Sequence, residues 1–305
     1  MIAVKDRLRA EPKSRWRFPV TLEGMLYLLP SIVLFAVFLF YPMFKTIYLS
    51  LFLTDAQGNA QIFVGLEHYS QLLSSPSFRA SLKATVLFVL YTVPAGVILA
   101  LGLALLANQK LKGIGFFRTL FSSTMGMSVA ASSVIWLFIY NPAIGIANTI
   151  MTTLGLQEMQ WLLNPDTALI SVAIPTIWMN TGFSFLILLG GLHNIDASLY
   201  ESGKIAGVSD FYSLRKITLP LLSPTLLFIV TVSLINSFQT FGQIDILTKG
   251  GPMESTNVIV YSIFKDAFVN FNIGSASAQA VLLFAFILIV TILQFKWSEK
   301  KVHYQ

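Results

Sequence analysis

Six stretches of the chain are apolar almost without interruption, at about 22–52, 81–107, 117–140, 167–192, 221–241 and 275–295. Shorter polar segments between them carry most of the charge. An apolar run of about 18 or more residues is long enough to cross a bilayer as a helix. Only helices and closed barrels satisfy their backbone groups in lipid, and these runs are too long and continuous for barrel strands. The pattern predicts an all-α polytopic membrane protein with six transmembrane helices. At about 1.5 Å per residue the first run exceeds a hydrocarbon layer of about 30 Å, so it tilts or extends past the surface. Pro30 and Pro42 are expected to bend it or bound its regular part.

Charge orients the spans. Residues 1–21 form a basic tail, with Lys5, Arg7, Arg9, Lys13, Arg15 and Arg17, and 296–305 form a second, with Lys296, Lys300 and Lys301. Lys110, Lys112 and Arg118 crowd the turn after the second run, and Lys204, Arg215 and Lys216 follow the fourth. Only Lys45, Arg79, Lys83, Lys249 and Lys265 fall outside the side so marked. Lys and Arg stay on the cytoplasmic side, which places both termini in the cytoplasm of a multi-pass cell-membrane (inner or plasma membrane) protein. Trp16 and Phe18 also allow the first tail to lie on the membrane surface as an amphipathic helix. The first run is long and no small-residue cleavage site follows it, so it is expected to be retained. The division expected is 1–21 cytoplasmic tail, 22–80 first transmembrane helix with an external loop, 81–295 a five-helix core containing a loop at 193–220, and 296–305 cytoplasmic tail. The external segment 141–166 is expected to be partly helical, and 256–269 to be an amphipathic helix at the outer surface.

Composition removes other classes. The chain has 305 residues, 55% hydrophobic and 11% charged, with a mean hydropathy of +0.73. The net charge of +6 is spread over segments flanking apolar runs, which fits a membrane protein better than a nucleic-acid groove. Cysteine is absent, so disulfides and thiolate metal sites are excluded. His68, His193 and His303 are scattered and have no metal-ligand spacing, and no catalytic constellation is apparent. Gly113-Ile114-Gly115 is a turn and not a phosphate cradle, and the chain carries no Gly-x-x-x-x-Gly-Lys-[Ser/Thr]. No cofactor is expected on this chain. ATP and Mg, if they drive it, belong to a partner.

The informative chemistry is polar residues inside apolar spans. Ser233, Asn236, Ser237 and Thr240 recur at i, i+3, i+4 and i+7 on the fifth run, which puts them on one helical face, with Gln239 and Gln243 on its flank. On the fourth run Thr176 and Asn180 are four apart and Phe183 lies about one turn further, with Trp178 and Phe185 adding aromatic surface. Neutral amides and hydroxyls beside aromatic rings suit a sugar, whose hydroxyls need donors and acceptors and whose C–H faces need apolar planes. A dianion would call for Arg or Lys, and no span interior supplies one. The same residues equally fit plain helix–helix hydrogen bonding, worth about 0.6 kcal/mol on average in lipid, or hydroxyls bonded to their own helix. Asn180 and Asn236 are the stronger candidates, because an amide left unpaired in hydrocarbon is costlier.

The polar stretch 200–220, YESGKIAGVSDFYSLRKITLP, separates the fourth and fifth runs. Small residues follow Glu201 at Ser202, Gly203, Ala206 and Gly207, and clear one side of a short helix for a second surface. The spacing Glu201, Gly207, then Ile217-x-Leu219-Pro220 resembles the Glu-Ala-Ala loop of permease subunits in binding-protein-dependent ABC importers. Ser202 and Gly203 replace the family's alanines, and Ala206 stands where Asp is common. FVGLEHY at 63–69, GFFRTLF at 115–121, Tyr140-Asn141-Pro142, LTKGGP at 247–252 and the last run are similar, in order and spacing, to the carbohydrate and glycerol-3-phosphate branch, of the maltose-type first-subunit kind.

The resemblance implies a type I ABC importer permease core, in which 193–220 is a cytoplasmic coupling loop that fits a cleft in an ATPase. Its implied partners are a second permease subunit in a heterodimer, two ATPase subunits, an extracytoplasmic solute-binding protein and membrane lipid, with no nucleic acid. Glu201, Ser202, Gly203, Gly207, Ile217, Leu219 and Pro220 take the coupling role, and bulk at Gly207 or Gly203 is expected to hurt more than nearby charge changes. Substrate contacts are implied on the spans either side of the loop, here Thr176, Asn180, Phe183, Ser233, Asn236, Ser237 and Thr240. The expected function is import of a sugar or oligosaccharide, with glycerol-3-phosphate or another polyol or glycoside as the alternative. A secondary transporter would need ionisable residues within the spans, which offer almost none, and no internal repeat is visible. A membrane enzyme would need a convergent His or carboxylate cluster.

Overall fold

A computed structural model describes residues 22–109 and 111–299. The basic tail 1–21, Lys110, Lys300 and Lys301 lie outside the described residues. The chain divides into two units, one ending at Lys45 and the other running from Thr46 onward.

In the first unit helix α1 (Leu22–Phe35) contains Pro30 and passes through a π-helical turn (Ala36–Phe40) into α2 (Tyr41–Leu49). Pro30 is accommodated within the helix, and the irregularity falls six residues later.

The second unit opens on a feature the hydropathy pattern did not indicate, an antiparallel hairpin of β1 (Phe52–Thr54) and β2 (Ala60–Phe63). Asp55 organises its turn. Its Oδ1 accepts from the backbone N–H groups of Gln57 (3.1 Å) and Asn59 (2.7 Å), and its Oδ2 accepts from the Asn59 and Gln61 amides. These bonds, chiefly those from Asn59, hold the Asp55 carboxyl below its ordinary pKa. A depressed carboxyl stabilises the turn above its unfolded pKa and loses that contribution as pH falls through the folded one. We therefore expect the Gln57 and Asn59 amides to lose protection from hydrogen exchange once pH drops below about 4.

Helix α3 (Glu67–Ser74) follows, and then α4 (Pro76–Ala107), which starts at Ser75 as N-cap with Pro76 in the first turn. Helix α5 (Ile114–Ser122) enters from Gly113, whose φ of +80° a side chain would strain. It runs into a 3-10 turn (Ser123–Gly126). Helix α6 (Val129–Ile139) then leaves at 106°, capped by Ser128. Short α7 (Ile146–Thr153) makes the 141–166 segment partly helical. Helix α8 (Pro165–His193) begins at the Asn164 cap and stays continuous through Pro175.

The loop after it holds α9 (Ala197–Ile205), α10 (Asp210–Ser213), a π-helical turn (Leu214–Thr218) and α11 (Leu219–Leu221). Helix α12 (Ser223–Phe238) departs at 68° from that segment, with Pro224 in its first turn. Helices α13 (Gly242–Leu247) and α14 (Ile259–Phe264) and a π-helical turn (Lys265–Val269) lead to α15 (Ile273–Glu299).

Among the described residues, four helices are long and apolar enough to cross a membrane: Tyr27–Leu49, Pro76–Ala107, Pro165–His193 and Ile273–Trp297. The count rises to six if each bent pair is one span. The third run is thus broken, where hydropathy reads it as continuous, and the fifth is entered through a bend at Leu222.

Helix α8 is the axis of the second unit. It is apolar on most sides and buries residues along its whole length. Against its second half α4 lays Ala100, Ala104 and Ala107, all without exposed surface, opposite Phe185, Leu188 and Leu192. Methyl side chains at this spacing bring two backbones close in lipid. Leu222 and Ile229 of the fifth run complete that cluster, and a second one joins Phe88, Val172, Ile244 and Tyr261 around the other end of α8. Arg118 ties the start of α5 to α4, donating from Nε (3.0 Å) and Nη2 (2.8 Å) to the last helical carbonyl, Ala107 O. This cation meets the negative end of the helix dipole.

Candidate functional site

The two polar faces read from the sequence meet. Thr176, Asn180 and Phe183 of α8 and Ser233, Asn236 and Ser237 of α12 line one cavity of about 90 Å³. Helix α4 closes it with Thr92 and Gly96, and Ser184, Ile177 and Val232 fill the remainder. No charged residue lines it. Thr92 and Gly96 are four apart on α4, a polar and small face that a reading of that run for length alone passes over.

Some of these groups are already satisfied. Thr176 is buried and its hydroxyl donates to Val172 O at 2.9 Å. Thr92 donates to Phe88 O (2.8 Å) and to Ser237 Oγ (2.9 Å), joining α4 to α12 across the cavity edge. The side-chain amides of Asn180 and Asn236 take no hydrogen bond within the described residues. Asn236 is exposed and Asn180 half-buried, so the two amides are the uncommitted donors and acceptors of the site.

The other members of the predicted set lie apart. Thr240 is buried beyond the cavity and donates to Asn236 O at 3.1 Å. Gln243 is buried against Met179 Sδ, Trp178 packs edge-on to Trp136, and Phe185 to Phe121. These rings and amides serve packing.

The cavity sits at joints. The 3-10 turn between α5 and α6 nests against Gly182, two residues beyond Asn180, and the Gly182 N–H donates to Thr124 Oγ1 at 3.1 Å. A β-carbon at Gly182 would lie 2.5 Å from that oxygen and 2.8 Å from Met125 N. The bend into α12 lies at Leu222, eleven residues before Ser233.

At the C-terminal end of α8 the elbow is a built unit. Asp196 caps α9, accepting from Ser198 N at 2.9 Å, and this bond holds its carboxyl below the ordinary range. Gly207, at φ +70°, ends α9: Val208 N donates to Gly203 O and Gly207 N to Lys204 O, both at 3.1 Å. That is a Schellman cap, which favours glycine whatever docks there. A β-carbon at Gly203 would meet Val208 Cγ2 at 3.1 Å and Ile217 Cδ1 at 3.6 Å. Gly203 and Ile217 are both half-buried and pack near each other within the chain. Thr218, beside Leu219 and Pro220, is buried and bonds the Tyr200 hydroxyl at 3.1 Å. Glu201, Ser202 and Ala206 are exposed. So is an apolar set that small-residue spacing does not reveal: Ile205 at 89%, Phe211 at 69%, Tyr212 and Leu199.

Comparison with known proteins agrees with this arrangement. Residues 84–304 match the model of the binding-protein-dependent transport system inner membrane component family. The chain is 36% identical over 290 residues to the sn-glycerol-3-phosphate transport system permease protein UgpA of Agrobacterium fabrum, covering 94% of this chain and 98% of that one. It is 37% identical to the protein of that name from Brucella abortus over the same extent, and 30% identical over 293 residues to that of Yersinia enterocolitica. In fold it is similar to a chain of a bacterial ABC transporter involved in import of the acidic polysaccharide alginate, with a TM-score of 0.80 at 22% identity over 92% of this chain and 97% of that chain. Six apolar runs, one of them broken, an elbow that bends into the fifth, and a family match over most of the sequence lead to one assignment: the chain belongs to the binding-protein-dependent transport system inner membrane components, the permeases of ABC importers.

Proposed function

We propose that this permease forms one half of the translocation path for a sugar, an oligosaccharide or a polyol derivative. The cavity between α4, α8 and α12 is its substrate contact. The observation that carries this reading is the pair of uncommitted amides, Asn180 and Asn236, facing a cavity lined otherwise by hydroxyls, Gly96, two aliphatic side chains and one aromatic ring. At about 90 Å³ the cavity is smaller than the roughly 300–1,000 Å³ of small-molecule sites. Passage of a sugar thus requires the surrounding helices to separate, and the bends beside Gly182 and at Leu222 sit where such motion would be taken up. The exposure of Asn236 leaves one wall for a second permease subunit to supply. A solute-binding protein delivers the substrate on the side away from the elbow. Two ATPase subunits work from the elbow side, and one grips α9 and its exposed Ile205.

A second reading, a glycerol phosphate as cargo, is favoured by the relatives named for that transport system. The uncharged cavity favours the neutral one. Reconstitution of the chain with its second permease, ATPases and binding protein separates them: ATP-dependent uptake is expected for one substrate class. Uptake that proceeds unchanged without ATP would overturn the importer reading. Asn236→Leu is expected to cut uptake about tenfold, the scale of losing one hydrogen bond to a polar ligand. It should leave assembly of the complex intact. Loss of assembly at unchanged substrate affinity would make Asn236 a helix contact instead.

A further inference from the structure

A larger cavity, of about 470 Å³, lies at the opposite end of α8 from the elbow. It is formed by the end of α6 with Tyr140, Asn141 and Pro142, by residues 160–163, and by the end of α13 with the turn 248–252. Unlike the inner cavity, its size falls within the range of small-molecule sites.

Its walls are built, and its polar lining includes free amide N–H donors. Trp161 stacks on Tyr140 with ring centroids 5.3 Å apart, and its Nε1 donates to Asn148 Oδ1 at 2.8 Å. Asn148 is itself fixed by two bonds to the Met159 backbone, so the indole is held in place. Asn141 Oδ1 accepts from the Ala143 and Ile144 N–H groups, which leaves its NH₂ free. Gln160 is exposed at the rim with its amide uncommitted. Tyr140 is 4% exposed, and its hydroxyl is buried without a partner and does not open onto the cavity. Lys249 is exposed and makes no ion pair among the described residues, whose salt bridge is Lys265 with Glu254. No carboxylate lines the cavity. One cation, the free amide groups of Asn141 and Gln160 and a fixed aromatic plane suit a ligand rich in hydroxyls that carries one acidic group.

We infer that this cavity is a second ligand site of the permease, which takes a hydroxylated anion, a polyol phosphate or a sugar carboxylate, with Lys249 on the acidic group and Trp161 against the carbon skeleton. The site rests on the importer reading and deepens it. It supplies a positive charge that the inner cavity lacks.

The test is a titration of the full chain in lipid nanodiscs, followed by tryptophan fluorescence. The probes are sn-glycerol 3-phosphate and D-glucuronate, with glycerol, D-glucose and inorganic phosphate as controls. Saturable quenching is expected from at least one of the two hydroxylated anions, and which of them responds tells a phosphate from a carboxylate. Lys249→Gln should weaken that response roughly tenfold, and Lys249→Arg should retain it. Trp161→Phe should remove the signal. Equal responses to the neutral probes, an unchanged affinity in Lys249→Gln, or no saturable response to either anion would overturn the site. Failure of the titration while the assembled transporter still takes up solute with ATP would remove this site and leave the importer reading standing. Failure of ATP-driven uptake with the titration intact would do the reverse.

Discussion

Gly182→Leu destabilises the protein by about 3 kcal/mol, the upper part of the range for overpacking a tight contact. It abolishes uptake as well. The first atom added already fails to fit: a β-carbon falls 2.5 Å from Thr124 Oγ1, 2.8 Å from Met125 N and 3.1 Å from Ser122 O, and two of these belong to the backbone and cannot swing aside. The usual gain of about 1 kcal/mol from replacing a helical glycine by alanine is too small to offset this. Gly190, in the same helix, has nothing within 4 Å of an added β-carbon. Gly190→Ala is therefore expected to be neutral or stabilising by up to about 1 kcal/mol. Thermal unfolding of the two variants in the same detergent decides the matter. Equal midpoints would mean that the 3-10 turn does not pack on α8 as described.

Ile205→Asp is expected to leave the fold intact and cut ATP-driven uptake by more than tenfold. An isoleucine 89% exposed at the end of α9 contributes little to stability, and surface changes of this kind stay within about 0.5 kcal/mol. If α9 seats in an ATPase cleft, the same side chain is buried there. A carboxylate in its place then loses the apolar contact and carries a charge into the interface. ATP hydrolysis stimulated by the loaded binding protein should fall with uptake. Gly207→Leu is a poorer probe, because φ +70° at that residue strains any side chain with or without a partner. An Ile205→Asp complex with full stimulation would place the docking surface elsewhere.

The sequence disclosed the class of fold and most of one cavity. Asn180 and Asn236 were legible because an amide is conspicuous in an apolar run, and helical spacing put their neighbours on the same faces. Thr240 satisfied the same spacing yet lies past the cavity, since α12 ends at Phe238 and the chain turns there. The break in the third run was hidden because hydropathy is blind to direction. The Ser, Gly and Ala around Ser123–Gly126 read equally well as close helix packing. The hairpin at 52–63 was too short to show a strand period, although Asp55 and Gly58 are turn residues. The elbow's glycines were visible, but their purpose was not: spacing cannot tell a helix cap from a docking notch. The outer cavity joins residues 140–142, 160–163 and 246–252, which only the folded chain brings together.

The alanine seam of Ala100, Ala104 and Ala107 has a mechanical corollary. Helices locked at backbone range do not slide past each other easily, because each methyl would have to climb over its neighbour. That seam makes α4 and α8 a single stiff rod. At about 1.5 Å per residue, α8 alone reaches about 43 Å. On the proposed docking, a push delivered beside Ile205 would travel along this rod toward the end near Trp161, and the bends at Ser123–Gly126 and Leu222 would flex around it.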